Sequence, residues 1–390
     1  AEDGIRDIGV TGVQTCAHPI LPVMASVGLK NFINGPEGFT PDNEFCLGET
    51  EVHGFFVAAG FCAHGIAGAG GIGKAVAEWV IAGEPTMDLW HMDIRRFSSA
   101  YESPSFTLAR VKENYEAYYD IHYPAEERQT MRPHFASPIY NWHKENGAIF
   151  GEKNAWERVN FYRRSSANEQ LRPQHWAGHN WDPNVVAEHH ATRNNAGIFD
   201  ETSFSKLKIS GNQAAEFLNY VAANNVIRGE NRAIYTQLLN SRGGIEADLT
   251  ITSLPENEFL IITGTASLKH DSQWLGKLAY IHGFTDVMIE DVTLEMAVFG
   301  VWGPKSREIL APLVDIDLSH ETFPFGCSFE SKISGIDIRL TRITYVGELG
   351  WEIYVSRKRD ADPRKVWETI VAEGARHGAI PCGYRAIESL

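Results

Sequence analysis

Residues 51–83 constrain the fold more than any other stretch. The apolar, aromatic run "EVHGFFVAAGF" (51–61) leads into "GAGGIGKA" (68–75), after which Ile72, Val76, Trp79, Val80 and Ile81 recur at helical spacing. Gly83 and Pro85 close that pattern. The spacing predicts a strand over 51–61, a glycine turn, and a helix from about Gly71 to Ala82.

Two phosphate-binding patterns overlap on the glycines, and neither fits its surroundings. A triphosphate loop needs Ser or Thr after Lys74 to hold magnesium, and Ala75 stands there. A dinucleotide fingerprint needs an acid at the end of a second strand about 20 residues on. Asp88 has roughly that spacing, but "EPTMDLWHMD" contains Pro85 and no strand pattern. On pattern alone, the glycines read as a device for close helix packing.

Composition excludes several classes. With 35 Lys and Arg against 50 Asp and Glu, the formal charge is −15, and no basic run offers a surface to nucleic acid. No apolar stretch is long enough to read as a membrane span. Five widely separated cysteines without a C-x-x-C pair suit reduced thiols in a bacterial cytoplasm or a mitochondrial matrix, with no structural metal. Residues 1–22 lack periodicity, resemble a translated adaptor, and are set aside from fold reasoning. "GYRAIESL" reads as the start of a helix without a stop signal, as in an internal fragment.

Four regions emerge: 1–22, 23–95, a Tyr-, Arg- and Pro-rich connecting subdomain at 96–165 with one clear helix near 106–118, and 166–390. The last is an α+β region. Its pattern predicts helices at 183–195, 265–281, 304–312 and 363–376, and strands near 205–210, 246–263, 285–290, 295–302, 328–345 and 350–355.

The segments "NGPEGFTPDNEFCLGE" (34–49) and 54–89 resemble the end of the flavin domain in amine-oxidising flavoproteins, above all dimethylglycine and sarcosine dehydrogenases. The resemblance implies that the strand end and helix N-terminus run beside an FAD ring, with Gly60, His64, Gly65 and Ile66 close to it. Further on, "NAGIFDETSFSKLKISG" (195–211), "NSRGGIEADLTIT" (240–252) and "YVGELGWEIYV" (345–355) resemble the glycine-cleavage aminomethyltransferase, or T-protein, a tetrahydrofolate-binding domain. The fold class expected is therefore α+β and multidomain: the C-terminal part of an FAD domain, a middle subdomain, and a T-protein-like folate domain.

Within the folate domain, alternation along the strand after Gly243 and Gly244 can place Asp248 on a cavity face. The resemblance makes Asp248 the catalytic acid near folate N10, where a carboxylate can take a proton and stabilise a cation. It makes Glu352 the acceptor for the pterin's aminopyrimidine edge, which offers two parallel donors. Tyr345 is a further pocket residue, and equally an ordinary strand aromatic; Glu348 is either a turn residue or a supporting group. Where free-standing aminomethyltransferases carry Arg in "AARDSL", this chain has Ile387 in "RAIESL". "EHH" (188–190) lacks a third metal ligand, and Trp142, His143, Trp176 and Trp181 read as core or interface aromatics.

The implied activity is oxidation of an N-methyl amine by FAD to an iminium, with capture of the carbon by tetrahydrofolate. Oxygen or an electron-transfer flavoprotein would be the electron acceptor. Alternatives are a non-catalytic relative of the pyruvate dehydrogenase phosphatase regulatory subunit type and a stand-alone aminomethyltransferase.

Overall fold

The computed structural model describes residues 22, 37–121, 126–164, 182–358 and 361–390. Residues 1–21, Trp176 and Trp181 lie outside that set. The predicted strand at 51–61 is split: β1 (Cys46–Glu49) and β2 (Phe56–Ala59) form an antiparallel hairpin around a turn at 50–55. Gly54 makes that turn with φ +79°, and its N–H donates to Glu49 Oε1 at 2.9 Å. Helix α1 (Gly65–Ala82) starts six residues before the predicted Gly71, so the glycine run is helix rather than turn. It ends at Gly83, in the left-handed conformation, whose N–H caps Trp79 O. A Cβ on Gly70, Gly71 or Gly73 would meet nothing among the described residues, so close packing against these is not their reason.

The connecting region holds more structure than its sequence advertises. Helix α2 (Pro104–Glu116) starts on a Ser103 cap with Pro104 at its first position. It is followed by α3 (Tyr140–Glu145) and a hairpin of β3 (Ala148–Lys153) and β4 (Trp156–Tyr162).

From α4 (Asp182–Asn194) onward the chain builds two packed sheets. One is five-stranded and antiparallel, ordered β10-β6-β9-β8-β7: β6 (Ser205–Ser210), β7 (Ala233–Leu239), β8 (Ile245–Ser253), β9 (Phe259–Thr263) and β10 (Met288–Asp291). Helices α5 (Ala214–Val221) and α6 (Leu268–Ile281) cover it over a core that includes Leu207, Phe217, Leu249 and Trp274. The second sheet runs β12-β13-β14-β11-β5-β15. Its strands are β5 (Gly197–Asp200), β11 (Met296–Trp302), β12 (Ser328–Ile333), β13 (Ile336–Thr341), β14 (Gly350–Ser356) and β15 (Ile380–Cys382), the last parallel to β5. Helices α7 (Ser306–Leu310) and α8 (Pro363–Arg376) pack on it, and α9 (Tyr384–Ser389) follows β15.

Trp367 on α8 anchors this second core: the rings of Trp142, His143 and Phe299 lie 5.4, 5.1 and 5.2 Å from it. Leu260, Val298 and Tyr354 join the two sheets in a smaller shared cluster. Helix α8 matches its predicted 363–376 span because Asp362 and Pro363 are strong start signals. β5 escaped because four residues, all but one buried, are too short a run to show a period.

Trp367→Ala is expected to lower unfolding free energy by about 3–5 kcal/mol, since it opens a void among three aromatic neighbours. Ile66→Ser, at a residue 98% exposed, should fall within about 0.5 kcal/mol of the parent. Urea unfolding of both variants tests the core assignment, which a small Trp367→Ala effect would contradict.

Candidate functional site

The residues singled out from sequence fall into two groups, and no hydrogen bond or ion pair among the described residues joins them. Gly60, His64, Gly65 and Ile66 lie together where β2 leads into α1. Gly60 has φ +65° and approaches Thr40 so closely that a Cβ would sit 2.5 Å from its methyl group. Cys62 and Ala63 also take positive φ, which folds the chain sharply before the helix. His64 is the N-cap residue without a side-chain cap; its Nδ1 lies 2.6 Å from Cys62 O and 2.9 Å from the Tyr118 hydroxyl. The first turn of α1 carries no acid, so the amides of Gly65, Ile66 and Ala67 stay open to an electron-rich partner. That donor set and the bare Ile66 side chain fit the edge of a flavin ring.

Asp248 sits on β8 with Ala247 and Leu249 buried in the core on either side, so the alternation turns its carboxylate away from that core. The Tyr235 hydroxyl on β7 donates to Asp248 Oδ2 at 3.1 Å. Tyr345 is exposed on the loop before β14, and its hydroxyl lies within electrostatic reach of Asp248, Glu201, Tyr235 and Arg158. Glu348 resolves as a loop-fixing residue: Arg193 on α4 donates to its carboxylate at 2.7 Å and to Val346 O at 3.1 Å.

Glu352 is half-buried on β14, between the core-facing Trp351 and Ile353. It accepts from the Tyr354 hydroxyl on its own strand. Opposite Glu352 on β11 stands Gly300, and opposite Tyr354 stands Val298. The backbone of Glu201, just past β5, bonds to Val298 O. Opposed residues share a face, so Glu201, Tyr354 and Glu352 face the same side of this sheet. Burial pushes the Glu352 carboxyl up to about 7, against the Tyr354 hydrogen bond and the Lys206 charge. Burial, with the charges of Glu352 and Asp200, raises Glu201 well above the carboxylate range.

Sequence reasoning passed over Glu201 and Lys206, although both stand in "FDETSFSK". A lysine in a strand alternation is normally a solvated residue, and nothing local announces that Lys206 is fully buried. Its Nζ donates to Thr202 O at 2.8 Å and Phe204 O at 2.7 Å, and burial pulls it down to about 7. His143, read as a core aromatic, forms a buried relay, with Nε2 2.8 Å from Asp200 and Nδ1 2.6 Å from the Tyr162 hydroxyl. Glu188 of "EHH" accepts from the backbone N–H groups of Tyr162 and Gly383, which gives it a structural task. Ile387 packs against the cluster of Phe199 and Trp302.

A cavity of about 580 Å³ lies between residues 85–93 and the start of β8, its wall including Asp88, Trp90, Arg242, Glu246 and His270. Glu246 precedes Asp248 by two residues, at the register break where β8 pairs irregularly with β7. His270 is buried, with Nδ1 2.8 Å from Asp271 and Nε2 3.5 Å from Glu246. Burial opposes its charge, but the two carboxylates prevail and hold it up to about 9.

The family model for the GCVT N-terminal domain matches residues 139–390, and that for the FAD dependent oxidoreductase central domain matches residues 82–137. The chain belongs to the GCVT N-terminal domain family. It is similar to 4-methylaminobutanoate oxidase (formaldehyde-forming) of Paenarthrobacter nicotinovorans, at 35% identity over 97% of this chain and 45% of that protein. It is also similar to mitochondrial dimethylglycine dehydrogenase of Mus musculus, at 33% identity over 96% of this chain and 42% of that protein. The chain thus spans less than half the length of these relatives. Among solved structures, the glycine cleavage system aminomethyltransferase T from Bartonella henselae superposes with a TM-score of 0.52 at 25% identity, covering 65% of this chain and 61% of that one. No helix among the described residues is long and apolar enough to cross a membrane.

The His270 imidazolium has a folded pKa above the ordinary histidine value of 6.5, so its stabilisation is complete below about 6.5 and is lost as pH rises through about 9. The stability gap between the parent and His270→Gln should therefore be widest near pH 6, at no more than about 3 kcal/mol, and should close by pH 10. Urea unfolding across that range checks it; a gap that does not change with pH would mean a neutral imidazole.

Proposed function

We propose that this chain is part of an FAD-dependent enzyme of the dimethylglycine or sarcosine dehydrogenase type, which oxidises an N-methyl amine and passes the released carbon to tetrahydrofolate. The observation that carries this reading is the tandem on one chain of an FAD oxidoreductase central domain and a folate-type domain in which Asp248 and Glu352 both face away from their cores. Bound FAD would supply the hydride acceptor for the N-methyl carbon, and the open amides at the start of α1 would favour negative charge on its ring.

In the folate domain, ionised Glu352 would accept two hydrogen bonds from the aminopyrimidine edge and so orient the pterin. Asp248, steadied by the Tyr235 hydroxyl, would hold its carboxylate where the attacking nitrogen meets the cationic carbon and would take the proton released there. Tyr345 would close the pocket over the ring. Small N-methyl amino acids are the substrate class, and oxygen or an electron-transfer flavoprotein accepts the electrons. A bacterial cytoplasm or mitochondrial matrix suits this chemistry and the reduced cysteines.

Calorimetric titration of tetrahydrofolate into the whole protein tests the reading. Glu352→Gln should weaken binding at least tenfold, whereas Asp248→Asn should leave binding within a few fold and abolish carbon capture, so that formaldehyde is released instead. Parent affinity should also decline as pH falls below about 7, because protonated Glu352 no longer accepts both bonds. A folded protein giving no heat with tetrahydrofolate would transfer support to the non-catalytic reading.

A further inference from the structure

Within electrostatic reach of Tyr345 stands a charge that carbon capture does not use. Arg158 on β4 is half-buried, with its guanidinium carbon 3.5 Å from the centre of the Tyr384 ring. Among the described residues it makes no ion pair and no side-chain hydrogen bond. Other arginines of the chain behave differently: Arg132 grips Glu157, and Arg193 grips Glu348. The ring beneath Arg158 is fixed, since the Tyr384 hydroxyl lies 3.0 Å from Ser203 Oγ, which accepts in turn from Thr265. Phe204 stands 6.2 Å from both Tyr384 and Tyr345.

The position of Arg158 relative to the site follows from Tyr345, whose hydroxyl feels Asp248, Glu201, Tyr235 and Arg158 together. Glu201, the acid of that set whose charge interacts with the guanidinium, forms no ion pair with it. Burial and the charge of Glu352 also push its carboxyl well above the ordinary carboxylate range. A partly desolvated guanidinium left unpaired is costly, and stacking on Tyr384 covers its face while leaving the edge donors open. That edge matches a planar carboxylate with two parallel hydrogen bonds.

We propose that Arg158 is a carboxylate-binding residue beside Tyr345, gripping a ligand carboxylate on its open edge while Tyr384 backs its face. The proposal rests on the folate reading above. Two sources offer this chemistry: the glutamyl end of the folate and the carboxylate of the N-methyl amino acid.

The test uses the flavin-loaded whole protein, its Arg158→Met and Arg158→Lys variants, and Glu352→Gln. Three probes are titrated by calorimetry: tetrahydrofolate, 6-methyltetrahydropterin, which has the ring without a carboxylate, and 4-aminobenzoylglutamate, which has carboxylates without the pterin. Arg158→Met should leave the pterin probe within twofold, which also certifies the fold. If the glutamyl end is the partner, Arg158→Met weakens tetrahydrofolate and 4-aminobenzoylglutamate about tenfold or more, with Arg158→Lys between the two. If the amino acid is the partner, folate affinities hold and the share of carbon lost as formaldehyde under saturating folate rises severalfold. Unchanged affinities together with an unchanged formaldehyde share would overturn the proposal. Failure of the pterin probe to bind the parent would sink the folate reading alone, with Arg158 then decided by 4-aminobenzoylglutamate.

Discussion

The buried Lys206 side chain ties down the crossing between the two sheets of the GCVT domain. The chain leaves β5 in one sheet at Asp200 and enters β6 in the other at Ser205, so residues 201–204 must make the whole crossing. Two carbonyls of that crossing, at Thr202 and Phe204, are exposed to competition with solvent unless something binds them, and Lys206 Nζ binds both. The Thr202 hydroxyl accepts from Val298 N, and Glu201 N donates to Val298 O, which locks the same turn to β11. The cost of taking an ammonium out of water appears in its fall to about 7. In return, Glu201, Ser203 and Phe204 are held on the cavity side without freedom to rotate away.

The acids that matter are placed by strand alternation alone. On β8 the core takes Ala247, Leu249 and Ile251, which leaves Asp248 on the opposite face. On β14 it takes Trp351, Ile353 and Val355, which leaves Glu352 and Tyr354. Each carboxylate is thus fixed by hydrophobic residues on both sides, and a one-residue slip of either strand would bury the acid and expose an aromatic or branched side chain. That penalty makes the register secure. Gly300 opposite Glu352 contributes no side chain of its own, and the Trp302 ring lies where its Cβ would be.

Motif-bearing parts of this site were legible because they depend on local order. Asp248 sits in a strand whose alternation is visible in "GGIEADLTIT", and the structure turns it away from the core as that alternation implies, while Glu352 drew notice through the motif "GWEIYV". Glu201, Lys206 and Arg158 were not legible, because their roles arise from contacts between elements distant in sequence. Arg158 lies on a hairpin inside a stretch that reads as a connector, and it meets Tyr384 more than 200 residues later. The glycine run misled in a different way. Its residues suggest a turn, yet tertiary context allows helix from Gly65, and the low helical propensity of glycine yields to the apolar Trp79 anchor, fully buried at the other end.

The β1–α1 elements and the GCVT domain are tied at the strand that carries Asp248. Lys277 on α6 donates to Glu49 beside β1 and to Gly83 O at the end of α1. Glu84 accepts from the Ser241 hydroxyl and from Arg242, in the turn that opens β8. Any rotation of α1 would pull on that turn, and Asp248 lies six residues past Arg242 on a stiff strand. Single surface ion pairs would be too weak to matter, but Glu49 and Glu84 are each mostly buried and each hold two or more donors. The spacing between the start of α1 and Asp248 is therefore set by rigid packing. On the proposed reading, this is what a reactive cation released at one site and captured at the other requires: a fixed distance within one body.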